Sequence, residues 1–87
     1  MKTWMLYLLE CANGSFYAGI TNDLAARMEA HATGRGAKYT RANKPKRLVG
    51  AAPFPDRSTA SRAEWQIKQL SRRDKLRYIN QIAATAR

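Results

Sequence analysis

Residues 3–21 read TWMLYLLECANGSFYAGIT, and this stretch decides the fold that the rest of the chain joins. Its first half is apolar at consecutive positions, which is typical of a strand covered on both faces. Asn13-Gly14 is a turn signal, and the FYAGIT that follows predicts a second strand paired with the first in a hairpin. Each arm of this hairpin carries one tyrosine, Tyr7 and Tyr17.

The register of the hairpin determines whether these two phenols can meet. A two-residue Asn13-Gly14 loop would place Tyr7 opposite Ile20 and direct the two tyrosines to opposite faces of the sheet. A three-residue loop that begins one position earlier would form a G1 bulge and place Tyr7 opposite Gly19, with both tyrosines on one face. The turn sequence allows both registers, and a site shared by the two tyrosines requires the second.

The remaining pattern predicts one more strand and three helices. Thr21, Asn22 and Asp23 are all suitable N-cap residues for an amphipathic helix. The following ATGRGAKYTRANKPK predicts a loop with at most one helical turn, and RLVGAAPF predicts a third strand. Helices are then predicted over residues 56–73 and 73–84, with apolar stripes that face the core. The predicted order is β-β-α-β-α-α.

Composition limits the class of protein. With 87 residues the chain is long enough for one domain, and no apolar run approaches the roughly 20 residues that cross a bilayer. Its one cysteine, Cys11, cannot form a disulfide within the chain, which favours a reducing cytoplasm. Sixteen Lys and Arg against six Asp and Glu give a net charge of +10, which indicates a nucleic-acid partner. The cations are dispersed along the chain, so a membrane surface is not the expected partner.

One acidic residue stands out. Glu64 lies one turn after Ala60 in the apolar stripe of the second predicted helix, so we expect it to face the sheet. A carboxylate buried there needs a cation, a metal ion or strong hydrogen-bond donors. The alternative is a capping box in which Ser61 caps the helix, although Asp56 and Ser58 offer an earlier start.

Two side chains on the first predicted helix form a pair. Arg27 and His31 are four residues apart and therefore project from one face. Taken alone, the arginine is explained by solvation and the histidine by capping of the helix C-terminus. Trp4 and Trp65 are expected to pack in or against the core.

In order and spacing these features resemble a known family. The hairpin carries MLY at residues 5–7 and YAG at residues 17–19, the helix that follows carries Arg27 and His31, and GRGAKYTR and Glu64 come later. The chain resembles the GIY-YIG nuclease superfamily, in particular its short stand-alone bacterial members of the UPF0213 type. The first triplet keeps only its tyrosine, and the second has alanine in its middle position.

The resemblance implies an α+β fold with a small three-stranded antiparallel sheet flanked by helices, all within one catalytic domain over residues 1–87. It also implies metal-dependent hydrolysis of phosphodiester bonds in DNA, structure-selective or non-specific, in DNA repair or processing. On this comparison Glu64 would hold one divalent cation, Mg²⁺ or alternatively Mn²⁺, and Arg27 would contact the phosphate.

The resemblance also implies roles for the tyrosines and their neighbours. Tyr17 would act as a deprotonated base and Tyr7 would help to hold the attacking water. His31 would assist the proton transfer or position Tyr17. Gly19 would let the substrate approach the backbone closely, or simply mark a bulge.

The basic loop offers further contacts to substrate, because Lys38, Tyr39 and Arg41 could follow a phosphate backbone. A solvated loop explains these three residues equally well. The chain has no room for a separate DNA-recognition domain, and it is compatible with a protein partner but identifies none. A basic nucleic-acid-binding module with a weak or silent nuclease site is the second hypothesis. A small basic protein of ribosomes or RNA complexes is the third, and it leaves Glu64 unexplained.

Overall fold

The computed structural model describes residues 3–85, which form a three-stranded antiparallel sheet and four helices. The strands are β1 (Trp4–Cys11), β2 (Phe16–Thr21) and β3 (Pro45–Phe54), and the helices are α1 (Leu24–Ala32), α2 (Lys38–Ala42), α3 (Arg57–Lys68) and α4 (Arg72–Thr85). The strand order is β2-β1-β3. This confirms the α+β class, and it adds the short helix α2 within the segment predicted as a loop with at most one helical turn.

The hairpin adopts the register that brings the two tyrosines together. Tyr7 pairs with Gly19 and Leu9 pairs with Tyr17, so the loop has three residues. Gly14 has a φ of +85°, the left-handed conformation that a G1 bulge requires and that glycine adopts without strain. Both phenols therefore project from one face of the sheet, and their ring centroids lie 6.5 Å apart.

β1 is the central strand and is covered on both faces, as its continuous apolar pattern predicts. Leu6 and Leu8 are fully buried in the core on the side of α3 and α4. Tyr7 and Leu9, which alternate with them, are buried on the opposite side. The edge strand β3 begins with a proline and carries a second one at Pro53, which an edge strand tolerates because it needs fewer ladder donors.

Helix α3 begins early and presents the predicted apolar stripe to the core. The side chain of Asp56 accepts a hydrogen bond of 2.8 Å from the Thr59 backbone N–H and caps the helix. Because the helix has already begun there, Ser61 is not its N-cap, and the capping-box explanation of Glu64 is excluded. The buried residues of α3 are Ala60, Ala63 and Ile67.

The expectation that both tryptophans are packed is wrong for Trp65, which is 66% exposed. Trp65 lies two residues after the buried Ala63, which places it on the far side of α3 from the sheet. Trp4 is half-buried, and the Arg57 guanidinium lies 5.7 Å from its ring centroid. Within residues 3–85, none of the helices has the length and apolar character needed to cross a membrane.

Candidate active site

Three aromatic rings meet on the face of the hairpin that α1 covers. His31 projects from α1 between the two tyrosines, with its ring centroid 5.6 Å from that of Tyr7 and 5.8 Å from that of Tyr17. Both contacts are edge-to-face, an arrangement that aromatic rings prefer. Arg27 lies one turn earlier on the same face of α1, and its Nε donates a hydrogen bond of 3.3 Å to the Tyr7 hydroxyl.

A chain of hydrogen bonds runs inward from Arg27. The Tyr7 hydroxyl is 2.9 Å from His31 Nε2, and His31 Nδ1 is 2.8 Å from the hydroxyl of Thr40 on α2. The Thr40 hydroxyl in turn donates a 2.9 Å hydrogen bond to the carbonyl of Ala37. Tyr7, His31 and Thr40 are all buried, at 3% exposure or less.

The two ends of this chain assign the same tautomer to His31. The buried Tyr7 hydroxyl receives a hydrogen bond from Arg27, so we assign its own proton to His31 Nε2, which then acts as the acceptor. The Thr40 hydroxyl uses its single proton on the Ala37 carbonyl, so it accepts from His31, and Nδ1 must carry the proton. We therefore assign His31 as a neutral imidazole that carries its proton on Nδ1.

Burial and charge favour these protonation states. Burial raises the pKa of the Tyr7 phenol, with Arg27 acting in the opposite direction and the charges of Tyr17 and Glu64 adding to the rise. Burial also lowers the pKa of His31, and the positive charge of Arg27 lowers it further. The hydrogen bond to Tyr7 raises the pKa of Arg27, as do its interactions with Tyr17. At neutral pH the network thus holds a neutral phenol, a neutral imidazole and a charged guanidinium.

Glu64 joins this group from α3, which packs against β2 at the edge of the sheet. Its side chain is 24% exposed, and Oε2 forms an ion pair of 3.2 Å with Lys68 Nζ, one turn further along α3. Glu64 is therefore less buried than its place in the apolar stripe predicted, and the cation beside it is a lysine of its own helix. Lys68 Nζ also lies 5.9 Å from the Tyr17 ring centroid, so the lysine lies near both Glu64 and Tyr17.

We call Tyr7, Tyr17, Arg27, His31 and Glu64 the five-residue cluster. The carboxylate of Glu64 is suited to a hard divalent cation, because such ions take oxygen ligands and retain several waters when the protein supplies few. Its partial exposure leaves an open side for such an ion. Among residues 3–85, no group of three or more His, Cys, Asp and Glu could enclose a metal. Glu64, waters and substrate oxygens would thus form the coordination shell.

Two glycines leave the space that the side chains of the hydrogen-bond network occupy. A Cβ atom at Gly19 would lie 2.6 Å from the Tyr7 ring carbon that bears the hydroxyl, so the phenol occupies the space above this residue. A Cβ at Gly36 would collide with His31 Nδ1 and the Thr40 hydroxyl. Gly19 therefore admits Tyr7, and its expected contact with substrate stays a prediction.

Three residues of the basic loop, Lys38, Tyr39 and Arg41, were predicted to contact substrate, and one of them contacts the five-residue cluster. Tyr39 stacks on Tyr17, with ring centroids 5.8 Å apart and an angle of 13° between the planes. Lys38 and Arg41 are exposed on α2, and in the described part of the chain no hydrogen bond or ion pair joins their side chains to the cluster. Their contact with substrate also stays a prediction.

Thr40, Gly36 and Lys68 were not predicted as site residues from the sequence. Thr40 had no periodic signal, because it lies in a five-residue helix whose position depends on the rest of the fold. The Glu64–Lys68 pair could have been found from its four-residue spacing, which favours an ion pair on a helix.

Comparison with known proteins identifies the family to which the chain belongs. The family model described as "GIY-YIG catalytic domain" matches residues 3–78. The chain therefore belongs to the GIY-YIG family, a family of nucleases. The resemblance inferred from the order and spacing of the two triplets, Arg27, His31 and Glu64 is confirmed.

Relatives cover nearly the whole chain. A UPF0213 protein from Xanthomonas campestris is 59% identical over 78 residues, which is 90% of this chain and 76% of that protein. A UPF0213 protein from Cupriavidus necator is 49% identical over 84 residues, or 97% of this chain and 91% of its own length. These names state no activity.

Two solved structures share the fold. The solution NMR structure of UPF0213 protein BH0048 from Bacillus halodurans is 43% identical, with a TM-score of 0.57 over 93% of this chain and 86% of that one. The solution NMR structure of protein EF2693 from E. faecalis is 37% identical, with a TM-score of 0.65 and the same coverage.

Proposed function

We propose that this protein is a metal-dependent endonuclease that hydrolyses phosphodiester bonds in DNA, with residues 1–87 acting as one catalytic domain. The observation that carries the proposal is the hydrogen-bond network that joins Tyr7, Arg27 and His31. Tyr17 packs against this network, and Glu64 lies near enough for its charge to act on Tyr7. Family membership and a net charge of +10 support it.

Arg27 is the proposed phosphate ligand. Its Nε is already used by the Tyr7 hydroxyl, which leaves the terminal nitrogens of the planar guanidinium for phosphate oxygens and Tyr17. The hydrogen bonds from Tyr7 to His31 and from His31 to Thr40 hold the Tyr7 hydroxyl in place. The Tyr7 hydroxyl in turn positions the Arg27 guanidinium. A guanidinium positioned before the substrate binds stabilises transition-state charge without reorganisation.

This arrangement changes the role proposed for Tyr7. Tyr7 is 1% exposed. Its hydroxyl proton is directed to His31, and one of its lone pairs accepts the hydrogen bond from Arg27. We therefore propose that Tyr7 positions Arg27 and does not hold the attacking water. His31 acts with it as a positioning residue.

Tyr17 is the proposed base. It lies on the same face as Tyr7, is more exposed, and interacts with Arg27 and with Lys68. Lys68 Nζ lies 5.9 Å from the Tyr17 ring centroid, and we assign the role of base to Tyr17 as a phenolate. We propose that this phenolate accepts a proton from the attacking water, which stands opposite the leaving oxygen.

Glu64 is the proposed ligand of a divalent cation, Mg²⁺ or Mn²⁺. When bound, the ion supplies charge neutralisation at the scissile phosphate and the leaving oxygen. We propose that the protein acts on DNA in the cytoplasm, during DNA repair or processing. The buried free thiol of Cys11 is compatible with the reducing conditions of the cytoplasm.

The proposal is tested by incubating purified protein and Mg²⁺ or Mn²⁺ with labelled duplex, nicked, flapped and branched DNA. We expect metal-dependent cleavage that Glu64→Gln and Tyr17→Phe abolish while the variants stay folded. Glu29→Gln and Tyr78→Phe are matched controls, because they make the same chemical changes at positions outside the cluster. Cleavage that persists in both cluster variants would identify a contaminating enzyme and refute the assignment.

The second candidate is a nucleic-acid-binding module with a weak or silent nuclease site. The ion pair between Glu64 and Lys68 favours it, because an ammonium group 3.2 Å from the carboxylate competes with a metal ion. Salt-sensitive DNA binding without cleavage, in either metal and on every substrate, would select this alternative.

A further inference from the structure

A pocket of about 400 Å³ lies beside the five-residue cluster, between β2, α2 and the ends of α3 and α4 that face each other. We call it the aromatic pocket. Its walls carry three rings and three cations, namely Phe16, Tyr17, Tyr39, Lys68, Arg72 and Lys75. None of the lining residues in the described part of the chain is acidic. The volume falls in the range of small-ligand sites.

The rings offer a flat surface for stacking. Tyr39 lies parallel to Tyr17 and is 40% exposed. Its hydroxyl is hydrogen-bonded to the Ser15 hydroxyl, so the ring is anchored at both its face and its tip. An anchored, exposed tyrosine is the kind of platform on which single-stranded nucleic acids stack their bases.

The cations lie at the same opening. The Arg72 guanidinium is 4.4 Å from the Phe16 ring centroid, and its Nε donates a 2.6 Å hydrogen bond to the Gly14 carbonyl. The hydrogen bond with Ser15 lowers the pKa of the Tyr39 phenol most, Asn13 lowers it further, and the charge of Lys75 adds a smaller effect. Lys75 and Tyr39 line the same pocket. Within residues 3–85, Lys75 has no carboxylate partner within 4.0 Å, so its ammonium is available to a phosphate.

We propose that the aromatic pocket binds one unpaired nucleotide of a DNA strand, next to the scissile phosphate. The base stacks on Tyr39, and its phosphate contacts Lys75. Arg72 lies at the same opening, where its guanidinium is also ion-paired with Glu10 at 3.4 Å. A base reaches a concave aromatic wall only when it is out of the duplex, since a duplex presents its phosphates and covers its base faces. Tyr17 and Lys68 belong to both the pocket and the neighbourhood of Glu64, so the bound nucleotide adjoins the cluster. This inference rests on the proposed function and gives it a substrate class, DNA with a single-stranded flank.

The aromatic wall is tested by binding in EDTA, where cleavage cannot occur. Fluorescence anisotropy compares a labelled single-stranded oligonucleotide with the duplex of the same sequence. We expect Tyr39→Leu to weaken single-strand binding about fivefold or more, the lower end of the loss when one stacking ring is removed. Tyr39→Phe keeps the ring and is expected to bind within about twofold of the parent protein. Duplex binding should be unchanged in both variants.

The cationic rim is tested by salt dependence. Lys75→Gln should reduce the slope of log K against log salt by about 0.7, the value for one phosphate contact on a single strand. Arg77→Gln is the matched control, because it removes one charge from an exposed position on the same helix. It should leave the slope unchanged.

These measurements separate this inference from the nuclease proposal. Single-strand binding that is unaffected in both Tyr39→Leu and Lys75→Gln overturns the pocket, even if the parent protein cleaves DNA. Loss of single-strand binding in both variants supports the pocket, even if no cleavage is found. An equal loss on single strand and duplex also overturns it, because the pocket would then not distinguish an unpaired base.

Discussion

Replacing Thr40 by valine removes the acceptor for the His31 Nδ1 proton without changing the size of the side chain greatly. Since both residues are buried, the imidazole N–H is left without a partner, which costs about 1–3 kcal/mol of folding free energy. In a chain of this length each kcal/mol lowers Tm by about 4–8 °C. We therefore expect Thr40→Val to melt at least about 4 °C below the parent protein, while Thr40→Ser, which keeps a hydroxyl, loses less.

The tautomer provides a second, independent measurement. His31 is the sole histidine in the sequence, so ¹⁵N NMR of the imidazole reports on this residue alone. The parent protein and Thr40→Ser should show the proton on Nδ1, and Thr40→Val should show a shift toward the Nε2 tautomer. A parent spectrum with the proton on Nε2, or identical nitrogen shifts and Tm in Thr40→Val, would refute the hydrogen-bond directions that we assign.

Three further predictions concern the same region. Because folding lowers the pKa of His31, the unfolded chain binds the extra proton. The His31 contribution to stability is therefore complete above about pH 6.5 and is lost as pH falls below it, at no more than about 1.4 kcal/mol per pH unit. Urea titrations from pH 5 to pH 8 should show this slope and its absence in His31→Gln. Gly19→Ala should destabilise the fold by about 1–3 kcal/mol, because the added methyl displaces the Tyr7 ring; an unchanged Tm would contradict that contact. Lys68→Met should strengthen Mn²⁺ binding at Glu64 severalfold, measured by electron paramagnetic resonance, because the competing ammonium is gone; weaker binding would count against Glu64 as the ligand.

The pattern of apolar residues in the sequence was sufficient to predict most of the fold. β1 carries four consecutive large apolar residues, Leu6 to Leu9, and all four are buried. Because side chains alternate between the faces of a strand, such a run is buried only when both faces are covered. The inward faces of α3 and α4 followed from their helical period. Trp65 was misplaced because its residue type was given more weight than its position, two residues from the buried Ala63.

The cluster was less accessible from the sequence, although its members were identified. Arg27 and His31 are local neighbours on α1, so their shared face follows from helix geometry. Their contact with Tyr7 depends on how α1 lies across the hairpin, which is a long-range packing outcome. Thr40 could not be recognised, since its bond to His31 requires Gly36 to leave room for the imidazole and the Thr40 hydroxyl.

The sequence by itself determined that the chain builds a hairpin with one tyrosine in each arm, an excess of cations and one carboxylate within an apolar helix stripe. These are local properties of periodicity, turn chemistry and composition. Only the tertiary structure decided between the two hairpin registers, the tautomer of His31 and the position of Tyr39 over Tyr17. Each of these depends on the exact distance between groups far apart in the chain, and a hydrogen bond or ring contact is lost when that distance changes by about an ångström.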